Sequence, residues 1–357
     1  MPEPFEPGFL LDWVRDLGSS ETLYDFHVHP FDVLTGDSNY LPSQASLGLY
    51  SKSSSTYHPP SLGTGLESSG NRLSAGANSL SAFLLASRIT YTHTGAKVIT
   101  DHLDLAGLVK ALLLPVARTP GIAENMLDAS DQMFQDDRLL HGCAFPVGKS
   151  PDDILEFLRS AQEKRKIFAV KLHLNLVGLN PLEDKSRELI EATLVAAGSL
   201  NLIVVVHGGR TPSIEPVDSR ENGILPRLVR INWSLSSSPV ILAHAGCYGL
   251  TEEEAISNLP ILNDLFDKHH NLMADTSNLE SNALKHVLEK VDRNRLIFGS
   301  DALYIPIWKA WLRFVNVLRQ VSSKPEDDLV RIASLNPRRC LDSIRMANPF
   351  LLTPSNT

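Results

Sequence analysis

The chain has 357 residues, a hydrophobic fraction of 43% and a net charge of −8 at pH 7. That supports a full core, and the scattered basic residues argue against a nucleic-acid groove or a polybasic membrane patch. No apolar run reaches the ~18 residues of a membrane span, and the acidic start Met1-Pro2-Glu3-Pro4-Phe5-Glu6 lacks the basic-then-apolar order of a secretory signal. The cysteines Cys143, Cys247 and Cys340 are far apart and odd in number, so they form neither a disulfide framework nor a metal knuckle. A reducing cytosol is the expected compartment.

In chain order, Phe9–Leu17 reads as a short amphipathic helix closing the bottom of the fold. The first strand, Thr22–His27, ends in Asp25-Phe26-His27-Val28-His29-Pro30. His27 and His29 are two apart and share a face, with Asp25 expected on that face one layer deeper. A long insertion follows, at about 31–106. Its first half, Leu34–Ser81, is rich in serine and glycine, and Leu80–Thr94 looks helical. It reads equally as an active-site lid or as a surface insertion.

Seven more apolar runs follow: Leu108–Pro115, Leu139–Pro146, Ile167–Leu174, Leu202–His207, Val240–His244, Asn271–Asp275 and Leu296–Asp301. Most are continuous rather than alternating, as expected of parallel strands covered on both faces. Between them lie expected helices at Ile122–Gln135, Asp152–Lys164, Asp184–Gly198, Arg220–Ser234, Glu252–Lys268 and Asn278–Lys290. Trp308–Arg319 and Pro325–Ser334 follow, and Asn336-Pro337 opens a last helix with Asn as cap. Alternating strands and helices predict a parallel sheet. Eight strands suit a single (β/α)8 TIM barrel spanning 1–357, whose site lies at the C-terminal strand ends. An open doubly wound sheet explains less well why so many strands end in polar residues.

Those polar ends carry the chemistry. His207 follows Val204-Val205-Val206 and precedes Gly208-Gly209, and His244 ends Val240-Ile241-Leu242-Ala243. Each alone reads as well as a core histidine. Asp301 ends Leu296-Ile297-Phe298-Gly299-Ser300, where a carboxylate needs a cation, a histidine or a helix to cap. Delivered from successive strand ends, His27, His29, His207, His244 and Asp301 can converge on one metal ion. Lys171 and His173 share a face in Val170-Lys171-Leu172-His173. The lysine pairs with a carboxylate or, carbamylated, bridges two metals. His173 is a substrate contact or a structural one. Arg118 and Arg210 are placed to clamp a substrate carboxylate or to pair with a loop acid. Tyr248, Tyr304 and Trp308 wall a pocket or pack.

Taken together, this ordered set resembles the amidohydrolase superfamily. More narrowly it resembles the amidohydrolase-2 branch, which includes aminocarboxymuconate-semialdehyde decarboxylase-like enzymes and lactonases acting on pyrone dicarboxylates. The resemblance runs from about residue 22 to 342, with 34–100 the least matched part. The first-strand HxH matches His27 and His29, and the histidines of strands five and six match His207 and His244. Asp301 matches the strand-eight aspartate, and Val-Lys-Leu-His and Asn336-Pro337-Arg338-Arg339 also fit. The resemblance implies a (β/α)8 barrel and one divalent metal, usually Zn2+, held by His27, His29, His207 and Asp301, with His244 or Asp301 taking a proton from water; in the family's binuclear arrangement a carbamylated Lys171 and His244 would hold a second metal. The expected activity is hydrolysis of an amide, ester or lactone in a small substrate, carboxylated if Arg118 and Arg210 act as clamps. Non-oxidative decarboxylation on the same scaffold and a barrel without catalysis are the alternatives. Neither nucleic acid nor membrane is expected as a partner, and barrel enzymes of this type often form homodimers.

Overall fold

The computed structural model describes residues 21–30, 96–212, 216–302, 305 and 307–346. The expected Phe9–Leu17 and Leu80–Thr94 helices, the serine-rich stretch and Tyr304 lie outside them. Eight parallel strands stand in sequential order: β1 Tyr24–Val28, β2 Lys110–Leu113, β3 Leu139–Ala144, β4 Ala169–Leu172, β5 Ile203–Val206, β6 Val240–Leu242, β7 Leu272–Asp275 and β8 Leu296–Ile297. The ring closes where the Phe26 N–H donates to the Phe298 carbonyl (3.0 Å) and the Asp301 N–H to the His27 carbonyl (2.8 Å). The chain therefore folds as the (β/α)8 barrel its sequence predicts.

Helices alternate with the strands: α1 Ala96–Ala106, α2 Ile122–Met133, α3 Pro151–Arg165, the single turn α4 Leu174–Val177, α5 Asp184–Ser199, α6 Leu225–Leu228, α7 Glu252–Lys268, α8 Ser281–Lys290, α9 Ile307–Val321, α10 Pro325–Val330 and α11 Asn336–Met346. Local chemistry sets their starts. Ser150 caps α3 and Thr251 caps α7, each through a capping box, and Pro151 begins α3 where an N–H is dispensable. Among the described residues no helix is long and apolar enough to cross a membrane.

Two expectations need correction. The helix expected over Arg220–Ser234 is broken into a 3-10 turn at Val217–Glu221, the short α6 and a second 3-10 turn at Trp233–Leu235. Gly223 bridges to Gly209 by backbone hydrogen bonding, and Pro226 is tolerated only in a first turn. Asn336 does not cap a separate helix. It sits in helical conformation at the end of a π segment, Arg331–Leu335, that joins α10 to α11. Pro337 supplies no N–H there, a reason for the ladder to slip. The Asn336 amide instead donates to the carbonyls of Arg293 and Leu296, both at 2.7 Å. The helix α1 lies at the end of the segment expected as an insertion.

Two apolar layers hold the barrel. The larger lies between strands and helices, with Leu158, Ile190, Trp233, Leu262 and Trp311 fully covered. The smaller fills the barrel, where Phe26, Leu112, Ile203, Val205, Ile241 and Met273 meet Cys340, Leu341 and Ile344 of α11. The C-terminal helix therefore packs onto the barrel interior.

Candidate active site

A register shift in β1 aims the first-strand histidines. Asp25 aligns with Ala111, yet Val28 aligns with Leu113, so β1 holds one extra residue. Such a bulge re-aims side chains. It leaves Asp25 out of the layer beneath His27, contrary to the strict alternation expected. Its Oδ1 instead accepts the backbone N–H groups of His27 (3.1 Å) and Ser300 (2.9 Å), bracing the seam between β1 and β8. Burial pushes the Asp25 carboxyl up to about 7, against these hydrogen bonds.

His27, His29 and Asp301 then meet at one point. The Nε2 atoms of His27 and His29 are 3.3 Å apart, and Asp301 Oδ1 is 3.5 Å from the first and 3.1 Å from the second. The opposite ring nitrogens fix the protons. His29 Nδ1 lies 2.7 Å from the Leu114 carbonyl and His27 Nδ1 lies 2.8 Å from Asp275 Oδ2. Carbonyls and ionised carboxylates only accept, so both Nδ1 atoms carry hydrogen and both Nε2 atoms present lone pairs. Asp301 Oδ1, buried, then receives no hydrogen bond among the described residues. Two lone pairs and a carboxylate oxygen directed at one point repel each other unless a cation stands among them. Their donor set, imidazole nitrogen with carboxylate oxygen, fits a divalent ion such as zinc.

Lys171 reaches the same place from β4. Its Nζ is 2.9 Å from His27 Nε2, and burial pushes the ammonium down to about 8. Burial first, and then the Lys171 charge, push His27 down to about 3 and keep it neutral.

His244 stands on the far side of His27, ring centroids 5.1 Å apart. Its Nδ1 faces the Ser277 carbonyl at 2.9 Å, so its Nε2 is the bare nitrogen. Burial lowers its pKa. His244, Ala245 and Asp301 adopt left-handed backbone angles, with φ of 57°, 49° and 61°. Such angles cost roughly 1–3 kcal/mol each in non-glycine residues and gather at functional sites. Here hydrogen bonds hold them: the His244 N–H donates to Asp275 Oδ1 (2.8 Å) and the Cys247 N–H to the His244 carbonyl (2.8 Å).

His207 occupies the neighbouring position. Its ring stacks on His173 with centroids 3.8 Å apart, lies 5.0 Å from the His244 ring, and sets Nε2 3.1 Å from the Thr211 hydroxyl. Burial, then the neighbouring imidazoles and Lys171, hold His207 well below its ordinary pKa. The structure thus brings His207 beside the convergent trio without placing a ring nitrogen in it. His173 also caps α4, accepting the Leu176 N–H at 3.4 Å. Tyr248 packs against both His207 and His244, centroids 5.3 and 4.8 Å away.

The two arginines differ. Arg210 forms a forked pair with Glu254 (3.0 and 3.2 Å) and reaches Glu221 at 3.2 Å. Of the two readings of Arg210, the geometry shows the pairing with nearby acids, one of them in the first turn of α7. Arg118 follows β2, half-buried in an irregular segment.

Sequence reasoning passed over Asp275 and Ser277. The signal was there: Leu272-Met273-Ala274-Asp275 ends a strand as Asp301 ends the next. Asp275 is fully buried. Burial opposes its ionisation, but the surrounding donors, His27 first, hold its carboxyl well below the usual range. Asn278 was missed too; its amide donates to Asp301 Oδ2 at 3.1 Å.

Comparisons with known proteins agree with this architecture. No curated protein matches the sequence. Among solved structures, 2,6-dihydroxybenzoate decarboxylase bound to 2,6-dihydroxybenzoate is 14% identical, with a TM-score of 0.57 over 90% of this chain and 99% of that one. A 4-oxalomesaconate hydratase from Rhodopseudomonas palustris is 11% identical, with a TM-score of 0.52 over 91% and 97%. A zinc-bound amidohydrolase from Burkholderia multivorans is 12% identical, with a TM-score of 0.50 over 90% and 99%. At such identities these likenesses speak for the fold. The amidohydrolase family (Amidohydro_2) itself matches residues 24–342, so the chain belongs to that family of enzymes.

Proposed function

We propose that this enzyme is a metal-dependent hydrolase acting on an amide, ester or lactone of a small, acidic substrate. His27, His29 and Asp301, joined by His207, would hold one divalent cation, which we take to be zinc. The observation that carries the reading is the convergence of two bare Nε2 atoms and an orphaned carboxylate oxygen at 3.1, 3.3 and 3.5 Å. A zinc ion was bound to the Burkholderia amidohydrolase of like fold.

A cation there supplies Lewis acidity, making water acidic near neutrality and polarising a carbonyl oxygen. The protein's own groups do the rest. His29 and His27 are locked by Leu114 and Asp275 so that neither ring turns its N–H inward. His244, neutral and with Nε2 bare, takes a proton and returns it to the leaving group. Asp301 is the second acceptor, steadied by Asn278. His173, stacked on His207, and Arg118 are the proposed substrate contacts. The buried, unpaired state of all three cysteines supports a reducing compartment.

The same residues serve a non-oxidative decarboxylase, in which proton delivery to a substrate carbon accompanies loss of CO2. The fold shared with a dihydroxybenzoate decarboxylase favours testing it. Zinc-loaded protein is to be offered a panel of lactones, esters, amides and aromatic or enoic acids. Hydrolysis is expected, and CO2 release without hydrolysis would select the second reading. His207→Ala is expected to lose both metal and activity; full metal content in that variant contradicts the ligand set.

A further inference from the structure

Behind the convergent trio lies a second cluster, Asp275 with Ser277, that meets His27 and His244 from the side away from Asp301. Asp275 is surrounded by donors. His27 Nδ1 reaches Oδ2 at 2.8 Å; the His244 N–H (2.8 Å), the Ser277 N–H (3.0 Å) and the Ser277 hydroxyl all reach Oδ1. Ser277 Oγ in turn lies 3.0 Å from His27 Nδ1 and 2.9 Å from His244 Nδ1.

Only one placement of hydrogens satisfies every atom. The Asp275 carboxylate accepts only, so the serine hydroxyl points its hydrogen there and turns its lone pairs toward the two imidazoles. The Ser277 carbonyl also only accepts, so His244 Nδ1 must donate. Both rings are therefore protonated at Nδ1 and bare at Nε2. His27, His244 and Asp275 also lie close enough to suggest a cation site of their own. The serine hydroxyl within hydrogen-bonding distance of both Nδ1 atoms and of Asp275 makes it a hydrogen-bond hub instead.

We propose that Asp275 and Ser277 form one positioning device that sets the tautomers of His27 and His244 together, turning one toward the cation and the other toward the proton it moves. This rests on the ligand reading above for its purpose but not for its geometry. Both are positioning residues, since neither reaches the reacting atoms. Asparagine cannot replace Asp275. Its oxygen can face only one side, and its NH2 must then oppose either His27 Nδ1–H or the donors of His244 and Ser277.

The test uses full-length protein with isotope-labelled histidine ring nitrogens, freed of metal with a chelator, together with zinc affinity from competition against a chromophoric chelator. In the wild type both rings are expected to report a protonated Nδ1. In Asp275→Asn the His27 ring is expected to shift to the Nε2–H form and zinc affinity to fall ~10- to 100-fold. A wild-type spectrum with hydrogen on Nε2 of either ring overturns the proposal, and needs no variant to fold. So does an Asp275→Asn protein whose tautomers and zinc affinity are unchanged. Wild-type protein that binds no zinc yet shows both expected tautomers would refute the ligand reading and leave the device standing.

Discussion

Lys171 and His27 are in direct contact at the centre of the site. The Nζ stands 2.9 Å from Nε2, on the lone pair that the proposed cation needs. The ammonium, which faces Asp275 and Asp301 as well, supplies positive charge at this point. Lys171→Met keeps the length and removes the charge. It is expected to retain one zinc per chain, while its metal-free form loses about 3–5 kcal/mol of stability, since the buried carboxylates of Asp275 and Asp301 are left without their counter-charge. Metal analysis and intact mass check this. A fall from two zinc ions to one, or a wild-type mass heavier by one CO2, would show a carbamylated lysine bridging two metals.

Gly299 marks how tightly β8 is drawn against β1. A Cβ there would stand 2.6 Å from His27 Cβ and 3.2 Å from Ser277 Cβ. Both are anchored to backbone and neither can swing away. Gly299→Ala is expected to cost about 1–3 kcal/mol through overpacking, read from the denaturant midpoint, and to lower zinc content by displacing His27. An alanine variant of wild-type stability and metal content would contradict the close approach.

The barrel was legible because continuous apolar runs between amphipathic segments have few other ways to bury both faces. Each strand end was legible because a buried histidine or carboxylate there needs a partner. What stayed hidden depends on register. The bulge in β1 is invisible in Tyr24–Val28, yet it turns His27 inward and removes Asp25 from the layer below. Asp275 ends a strand as Asp301 does, but its partners His27 and His244 are distant in sequence, so its role appears only when β1, β6 and β7 are side by side. The two readings of Arg210 could not be separated in the sequence because Glu221 and Glu254 are distant along the chain but adjacent in space.

That pairing gives a third expectation. Arg210→Ala is expected to lower stability by about 0.5–1 kcal/mol, the scale of a well-formed surface ion pair, and to leave metal content and KM unchanged. The guanidinium is already occupied by two carboxylates, so a substrate would have to displace them. A KM for an acidic substrate raised about tenfold or more, equivalent to ~1.4 kcal/mol of lost binding, would restore the clamp.

His141, on β3 and away from the strand ends that build the site, gives an acid-sensitivity test. Its ring lies 3.2 Å from the Ser130 hydroxyl, and burial lowers its pKa below the ordinary 6.5, with Asp131 offsetting part of the effect. In the window below about pH 6.5 the unfolded chain takes up a proton here that the folded chain resists. Unfolding therefore binds protons, and the stability this residue allows is lost as pH falls. His141→Gln removes the titration. Because the buried histidines of the site also resist protonation, the informative quantity is the difference between variant and wild type. The urea midpoint of the variant is expected to fall less steeply than that of the wild type between about pH 7 and pH 5. Parallel curves would show that His141 takes up its proton equally in both states.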